Sequence, residues 1–313
     1  MTAHPFDVRL ETLVPAARVR RDAPLGPLTT FRIGGPADWL ITVESEAELV
    51  GVMRAAGEYG VPVTVLGGGS NVVIADAGIR GAVVRPRLVE IRQTGADRVR
   101  AGAGVTINGL VRWTVGRGLA GLEAWAGTPG TVGGAICGNA HWGGRNIGDL
   151  TIALALVAQG GPRTVVSRDQ MQFAYDASRL QTSGETLVWA EFDVQPGEVA
   201  ALRQTARASL AYRKATQPLS RPSAGCIFRN PDPAVEPVPA DVPASAGALI
   251  DRAGLKGSRL GGASISTAHA NFIVNDGSAT ADDVRALVER TRAAVRDRFG
   301  VDLREEVVFL GTF

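Results

Sequence analysis

The chain has 313 residues, 45% of them hydrophobic and 20% charged, which is ordinary for a soluble globular protein and long enough for two or three domains with cores of their own. Its formal net charge is +2, and the Lys and Arg residues are dispersed rather than gathered, which excludes a nucleic-acid-binding arm. No charged-then-apolar leader opens the chain, no apolar run approaches the roughly 18 residues that a membrane span needs, and two cysteines exclude a disulfide-stapled secreted fold, so a cytoplasmic protein is expected.

In chain order, residues 1–28 read as a lead-in helix or extended arm closed by a Pro-containing turn. Phe31 and Ile33 alternate as in a strand, Gly34-Gly35-Pro36 turns the chain, and a strand runs through Trp39 to Val43. A helix follows, opened by Ser45 and Glu48 as a capping box, with Leu49, Val52, Met53 and Ala56 on one face and a stop at Gly60. The apolar run 61–66 is the next strand, and it ends in Leu66-Gly67-Gly68-Gly69-Ser70-Asn71. Strand, helix, strand and glycine loop make an α/β unit whose loop lies at a strand's carboxyl end, where such folds place ligands. The loop is no dinucleotide fingerprint, because the third glycine of G-x-G-x-x-G is missing and residues 72–74 and 82–84 read as strand rather than helix; no Lys-Ser/Thr closes a P-loop either.

Thr106 caps a helix expected to reach Arg117 and end at Gly118. Residues 121–144 then hold eight glycines in twenty-four positions, with Pro129 and no charge between Glu123 and Arg145, which argues against a helix interior and against a solvated loop. Glycine here reads as access: amides without neighbouring Cβ atoms can approach a bulky ligand and form a concave site for anionic oxygens. Tight turns between buried strands would explain either glycine segment alone, whereas the two together point to a large phosphate-bearing ligand. Residues 152–158 and 187–194 read as strands. Residues 199–212 read as a helix with Val199, Leu202, Ala206 and Leu210 on one face, ending in Tyr212-Arg213-Lys214 ahead of Gln217-Pro218. Five prolines mark 231–243 as a surface insert. The last helix has Thr280 and Asp283 as a capping box, a stripe of Val284, Leu287, Val288, Val295 and Phe299, and a stop at Gly300; residues 303–310 close as a strand returning to the body. Cys137 and Cys226 lie far apart, and His4, His141 and His269 show no ligand spacing, so neither a disulfide nor a metal is expected.

Eight segments occur in a recognisable order: Thr29-Thr30-Phe31-Arg32-Ile33-Gly34-Gly35-Pro36-Ala37, Val65-Leu66-Gly67-Gly68-Gly69-Ser70-Asn71, the stretch 121–144, Ser223-Ala224-Gly225-Cys226-Ile227-Phe228-Arg229-Asn230-Pro231, Ala253-Gly254-Leu255-Lys256-Gly257, Gly261-Gly262-Ala263-Ser264-Ile265-Ser266, His269-Ala270-Asn271-Phe272-Ile273-Val274-Asn275 and Leu303-Arg304-Glu305-Glu306-Val307. In that order the chain resembles the UDP-N-acetylenolpyruvoylglucosamine reductase (MurB) family, in its form with the shorter substrate domain, over nearly its whole length. The resemblance implies an α+β fold: a two-lobed FAD-binding domain of the PCMH (vanillyl-alcohol-oxidase-like) type over 1–200, split near residue 85; a smaller α+β substrate-binding domain over 201–300; and a C-terminal strand over 301–313 carrying Glu306. It implies FAD held without a covalent bond on Gly67, Gly68, Gly69, Ser70, Asn71, Gly127, Thr128, Gly130, Gly133, Gly134 and Ile136. It also implies NADPH as electron donor, small-molecule partners with no nucleic acid or membrane, and a monomer.

The implied reaction reduces the enolpyruvyl ether of UDP-N-acetylglucosamine to UDP-N-acetylmuramate, a step of peptidoglycan precursor synthesis. Hydride adds to the terminal carbon and leaves negative charge beside the carboxylate, so the site needs a proton donor and a stabilising cation or hydrogen bond. The resemblance places the donor at Cys226; a thiol, with a reference pKa of about 8.5, is protonated at neutral pH yet closer to it than a serine hydroxyl. It places the terminal glutamate at Glu306 rather than Glu305. Cys137, with no acid–base pattern around it, reads as a small buried apolar residue. Where the family has Tyr-Arg-x-Ser, this chain has Tyr175-Asp176-Ala177-Ser178, so an aspartate stands in place of an arginine. Losing one such partner costs around 3–4 kcal/mol, unless Arg179, or Arg145 on a folded-back glycine loop, substitutes. Tyr175, Arg213, Lys214, Arg229, Asn230 and Lys256 are implied to bind the diphosphate and carboxylate, with Lys256 open to a second reading as a helix C-terminal charge. Asp176 motivates a rival reading, a degenerate paralogue that binds FAD or nucleotide-sugar with weak or no turnover. An oxidase or dehydrogenase of the wider flavin fold is disfavoured by the Ser-Ala-Gly-Cys and Leu-x-x-Glu-Val motifs.

Overall fold

The computed structural model describes residues 4–313, so the first three residues of the expected lead-in lie outside it. The chain forms two compact units. One comprises the chain up to Ala23, Ala37–Gly68 and Arg80–Tyr212; the other comprises Pro24–Pro36, Gly69–Ile79 and Arg213–Phe313. The units differ from the segments expected: the last division falls after Tyr212 rather than after residue 200, and two short N-terminal segments belong with the C-terminal part.

The first unit has two lobes. The first lobe carries a sheet in the order Val19–Pro24, Pro36–Val43, Ile79–Pro86, Val63–Val65, with helices α1 (Pro5–Glu11) and α2 (Glu46–Glu58). Val63–Val65 runs parallel to Ile79–Pro86, so Gly67 follows a strand's carboxyl end. In α2 the Ser45 hydroxyl accepts from Glu48 N at 3.2 Å, and Leu49, Val52, Met53 and Ala56 are buried at i, i+3, i+4 and i+7. The expected capping box is half made, because the Glu48 carboxylate takes Glu44 N at 2.7 Å and Arg18 at 2.8 Å. The second lobe is a sheet in the order Arg163–Ser167, Thr151–Ala158, Glu185–Asp193, Arg98–Gly102, Ile91–Gly95. Alternation along Thr151–Ala158 serves two cores: Leu154 and Leu156 join Trp125, Ile136 and Phe192, while Ala155 and Val157 join Leu49, Val52 and Met53.

Helix α3 (Ile107–Gly116) is capped by Thr106 as expected. Against expectation, the glycine-rich stretch contains a short helix, α4 (Val132–Cys137), capped by Thr131. Gly133 is tolerated there because it packs on Ala103: its amide donates to Ala103 O at 2.9 Å, and an added Cβ would lie 3.2 Å from that oxygen. Helix α5 (Val199–Thr216) runs four residues beyond the expected end, up to the Gln217-Pro218 break. Among the described residues no helix is long and apolar enough to cross a membrane.

The second unit has a sheet in the order Ser223–Cys226, Phe272–Asn275, Ala263–Ile265, Arg259–Leu260, with helices α6 (Ala246–Arg252) and α7 (Ala281–Phe299). The capping box of α7 is complete, with Asp283 N on the Thr280 hydroxyl at 3.0 Å and Thr280 N on the Asp283 carboxylate at 3.1 Å. Val284, Leu287, Val288 and Val295 are buried, and Gly300 ends the helix at φ 72°. Residues 29–33 are not the expected strand. Thr29 Oγ1 accepts Arg32 N at 3.0 Å in a tight turn, Arg32 has φ 60°, and Phe31 and Ile33 sink into this unit's core, with Phe31 O held by Asn275. The closing strand is shorter than expected, Val308–Leu310, and pairs in parallel with Val72–Ile74. The proline-rich insert has no regular structure, and Val242 anchors it in the core.

Candidate active site

The two glycine segments meet backbone to backbone. A Cβ at Gly67 would lie 2.6 Å from Thr131 Oγ1, and one at Gly68 would lie 2.6 Å from Gly130 Cα. Glycine at these two places is required by the contact of the loops themselves, rather than by access for a ligand as the composition led us to expect. The ligand-binding potential lies in the amides. Among the described residues, the backbone N–H groups of Gly67, Gly68, Gly69, Ser70 and Asn71 donate to no protein group, and a run of consecutive free amides suits an anionic oxygen cluster. This donor set fits the diphosphate of FAD. In the other segment Asn108 clamps the loop, accepting Gly127 N at 2.7 Å and donating to Thr128 O at 3.1 Å. Ile136 is fully buried in the apolar core, so its side chain is spent on packing.

The turn 174–177 is fastened to the same glycine-rich segment. Ala174 and Ala177 exchange both backbone hydrogen bonds, and Asp176 sits between them with φ 51°, a conformation that Asp tolerates. Asn139 Nδ2 donates to Ala174 O at 2.7 Å, and Ser178 Oγ donates to Cys137 O at 2.8 Å. His141 Nδ1 lies 3.0 Å from Asp176 Oδ1, and the His141 ring stands 5.1 Å from that of Tyr175. Asp176 is 6% exposed, and its Oδ2 accepts no hydrogen bond. Arg179, expected as a substitute cation, is bidentate to Glu185 at 2.8 and 2.7 Å and also donates to Gln170 O, so its guanidinium is committed within its own segment. Arg145 does sit on a hairpin that folds back, paired opposite Trp142, but it shares an open cleft with Glu123 and Asp193.

In the second unit, Ser223–Cys226 pairs with Phe272–Asn275, and the register slips between Ser223 and Cys226, where Gly225 has φ 84°. Such a bulge re-aims the side chain beyond it, here Cys226. Thr30 Oγ1 holds Ser223 O at 2.7 Å, and Asn271 clamps Phe228 through both its amide and its carbonyl, at 2.9 and 2.7 Å. Glu306 N donates to Ile227 O at 2.8 Å, and Asn71 Nδ2 donates to Glu306 O at 3.1 Å. The backbone thus brings Glu306 beside the residue that follows Cys226. Glu305 faces a different set of partners: Arg285 and Arg292 of α7 both form ion pairs with its carboxylate. Arg213 is 5% exposed; burial pushes its guanidinium down to about 10, and the neighbouring Cys226 acts in the opposite direction. In the first unit, burial raises the Cys137 thiol, which keeps it protonated and unreactive.

Of the remaining expected substrate residues, Lys214 is exposed on α5, and Arg229 and Asn230 line a small cleft with Glu236 and Arg304. Asn230 Oδ1 accepts Ala246 N at the start of α6, while Lys256 pairs with Asp251 at 2.7 Å beyond the end of that helix. The sequence reading missed His141, Asn108, Asn139 and Thr30 as organisers of these loops. Thr30 stood inside a recognised motif, whereas the other three carried no local signal.

The FAD binding domain family model matches residues 37–165, and the model for the C-terminal domain of UDP-N-acetylenolpyruvoylglucosamine reductase matches residues 217–310. The chain is 40% identical over 310 residues to UDP-N-acetylenolpyruvoylglucosamine reductase 2 of Symbiobacterium thermophilum, covering 98% of this chain and 97% of that protein. It is 41% identical over 299 residues to the reductase of the same name from an Anaeromyxobacter species, covering 94% and 89%. Among solved structures, UDP-N-acetylenolpyruvylglucosamine reductase (MurB) from Thermus caldophilus aligns with a TM-score of 0.79 at 34% identity, over 94% of this chain and 99% of that one. The fold is therefore α+β, a two-lobed FAD-binding domain with a smaller α+β domain.

Proposed function

The chain belongs to the UDP-N-acetylenolpyruvoylglucosamine reductase family, and from that premise we propose how its own residues carry the reaction. It is an FAD-dependent oxidoreductase that reduces the enolpyruvyl ether of UDP-N-acetylglucosamine to UDP-N-acetylmuramate in peptidoglycan synthesis. NADPH is the electron donor in this reading, FAD is held without a covalent bond, and the protein works as a monomer in the cytoplasm. When bound, FAD supplies the hydride chemistry.

The amides of 67–71 hold the cofactor's diphosphate, and the 127–134 segment lines the cofactor beside them without giving up the amides of Gly127 and Gly133, which Asn108 and Ala103 already hold. Cys226 delivers the proton to the carbon next to the substrate carboxylate. Arg213, buried beside it, favours the thiolate left after that delivery and offers a bidentate donor to an anionic substrate group. Glu306 supports the proton transfer. Tyr175, Lys214 and Arg229 contact the nucleotide sugar, whereas Asn230 and Lys256, bonded to Ala246 and Asp251, hold the loops that carry this surface. The observation that carries the proposal is the hydrogen bond from Glu306 N to Ile227 O, which sets the two proposed proton-handling residues on adjoining backbone.

The test is to reduce the purified protein anaerobically with NADPH, add the enolpyruvyl UDP-sugar and follow the absorbance of oxidised flavin. Its return within a turnover time supports the reductase reading. Bleaching without return leaves the binding-only alternative that Asp176 raised, an alternative the reductase relatives do not favour.

A further inference from the structure

The reductase reading leaves one feature unexplained, a buried carboxylate at the position where the family pattern carries arginine. Negative charge developing beside the substrate carboxylate calls for a cation, and Asp176 alone would oppose it. We propose that His141, held as an imidazolium by Asp176, is the cation that meets the substrate's carboxylate in this chain, and that Asp176 is a positioning residue acting through it. This rests on the reductase reading above.

The geometry supports each part. A carboxylate that is 6% exposed requires a charged partner or several donors, and His141 Nδ1 lies 3.0 Å from its Oδ1 in an ion-pair arrangement, while Oδ2 accepts no hydrogen bond. Pairing with a carboxylate favours the charged ring. It also fixes the ring by one nitrogen. The His141 side chain is 35% exposed, so the charge is within reach of a ligand, and its ring stands beside that of Tyr175, which is 46% exposed and assigned above to substrate. The pair is pre-positioned, because Asn139, Ser178 and Gln181 fasten the turn that carries Asp176. Arg179, the arginine nearest in sequence, is committed to Glu185.

The discriminating variant is His141→Gln, which keeps a donor for Asp176 but removes the charge. Two readouts are used on the FAD-loaded protein. The first is the calorimetric ratio of affinities for UDP-N-acetylmuramate and for UDP-N-acetylglucosamine, which differ by the carboxylate-bearing ether; a merely structural turn lock would leave this ratio unchanged. It is expected to fall about tenfold or more. The second is reoxidation of the NADPH-reduced protein by the enolpyruvyl substrate, expected to slow about a hundredfold. The double substitution His141→Gly with Asp176→Arg is expected to recover both. An unchanged ratio and unchanged reoxidation in His141→Gln overturn the proposal. If that variant is unstable, failure of the double substitution to recover either readout in folded protein overturns it instead. Wild-type protein that is not reoxidised by the substrate rejects the reductase reading itself, and this proposal with it. Wild-type protein that turns over, alongside a His141→Gln variant equal to it, rejects this proposal alone.

Discussion

Glu305 and Glu306 are adjacent carboxylates with separate surroundings. Two arginines of α7 form ion pairs with Glu305, and its backbone bridges Phe228, so it ties the C-terminal segment to the helix. Glu306 is placed by its own amide on Ile227 and by Asn71 on its carbonyl. We expect Glu305→Gln to lower stability by about 1 kcal/mol or less, since the pairs are partly exposed, and to leave turnover near wild type. We expect Glu306→Gln to leave the melting temperature unchanged and to lower kcat about a hundredfold or more. Thermal melts and steady-state rates on the two variants check this, and the reverse pattern would move the proposed role to Glu305. The adjacency was legible in the sequence, because a motif fixes register. The partnership of His141 with Asp176 was not, because a single histidine distant in sequence from Asp176 carries no local pattern.

Among the elements, the long amphipathic helices were legible because their signals are local. Thr280 with Asp283, the stripe from Val284 to Val295 and the stop at Gly300 are written within one helix, and the structure repeats them. Helix α4 was illegible for the opposite reason: glycine disfavours a helix, and only the packing of Gly133 on Ala103 makes it affordable here. The segment 29–33 alternates like a strand, yet the Thr29 turn and the burial of both Phe31 and Ile33 replace any ladder. The contact of Gly68 with Gly130 belongs to this scale. Gly68→Ala places a Cβ 2.6 Å from a backbone carbon that has no side chain to move aside. It is expected to destabilise by about 1–3 kcal/mol and to increase loss of flavin on gel filtration. Full flavin retention at an unchanged melting temperature would show that the loops separate freely.

For the whole molecule, the family match at 217–310 covers part of only one of the three stretches of chain from which the second unit is assembled. Its core includes Phe31, Ile33 and Val73, and its closing strand pairs with Val72–Ile74. Burying side chains of this size contributes about 1.5–3 kcal/mol each, a large share of a typical domain's 5–15 kcal/mol. A fragment spanning 213–313 is therefore expected to lack a cooperative thermal transition by circular dichroism, and a sharp transition in that fragment would refute the expectation. Composition and motif order were enough to read the α+β class, whereas this interleaving was not legible, because contacts between distant stretches leave no periodicity in either.

The strand Thr151–Ala158 sets a different kind of limit on how such a chain can vary over time. Leucines at 154 and 156 fill one core, while the smaller Ala155 and Val157 fill the other. Substitution within a size class disturbs one side only. Losing or gaining a single codon ahead of Leu154 would turn every one of these side chains to the opposite face at once, driving leucines against α2 and leaving the other core underfilled. Change in length is consequently barred from this strand and open to places such as 231–243, where no ladder keeps count of residues.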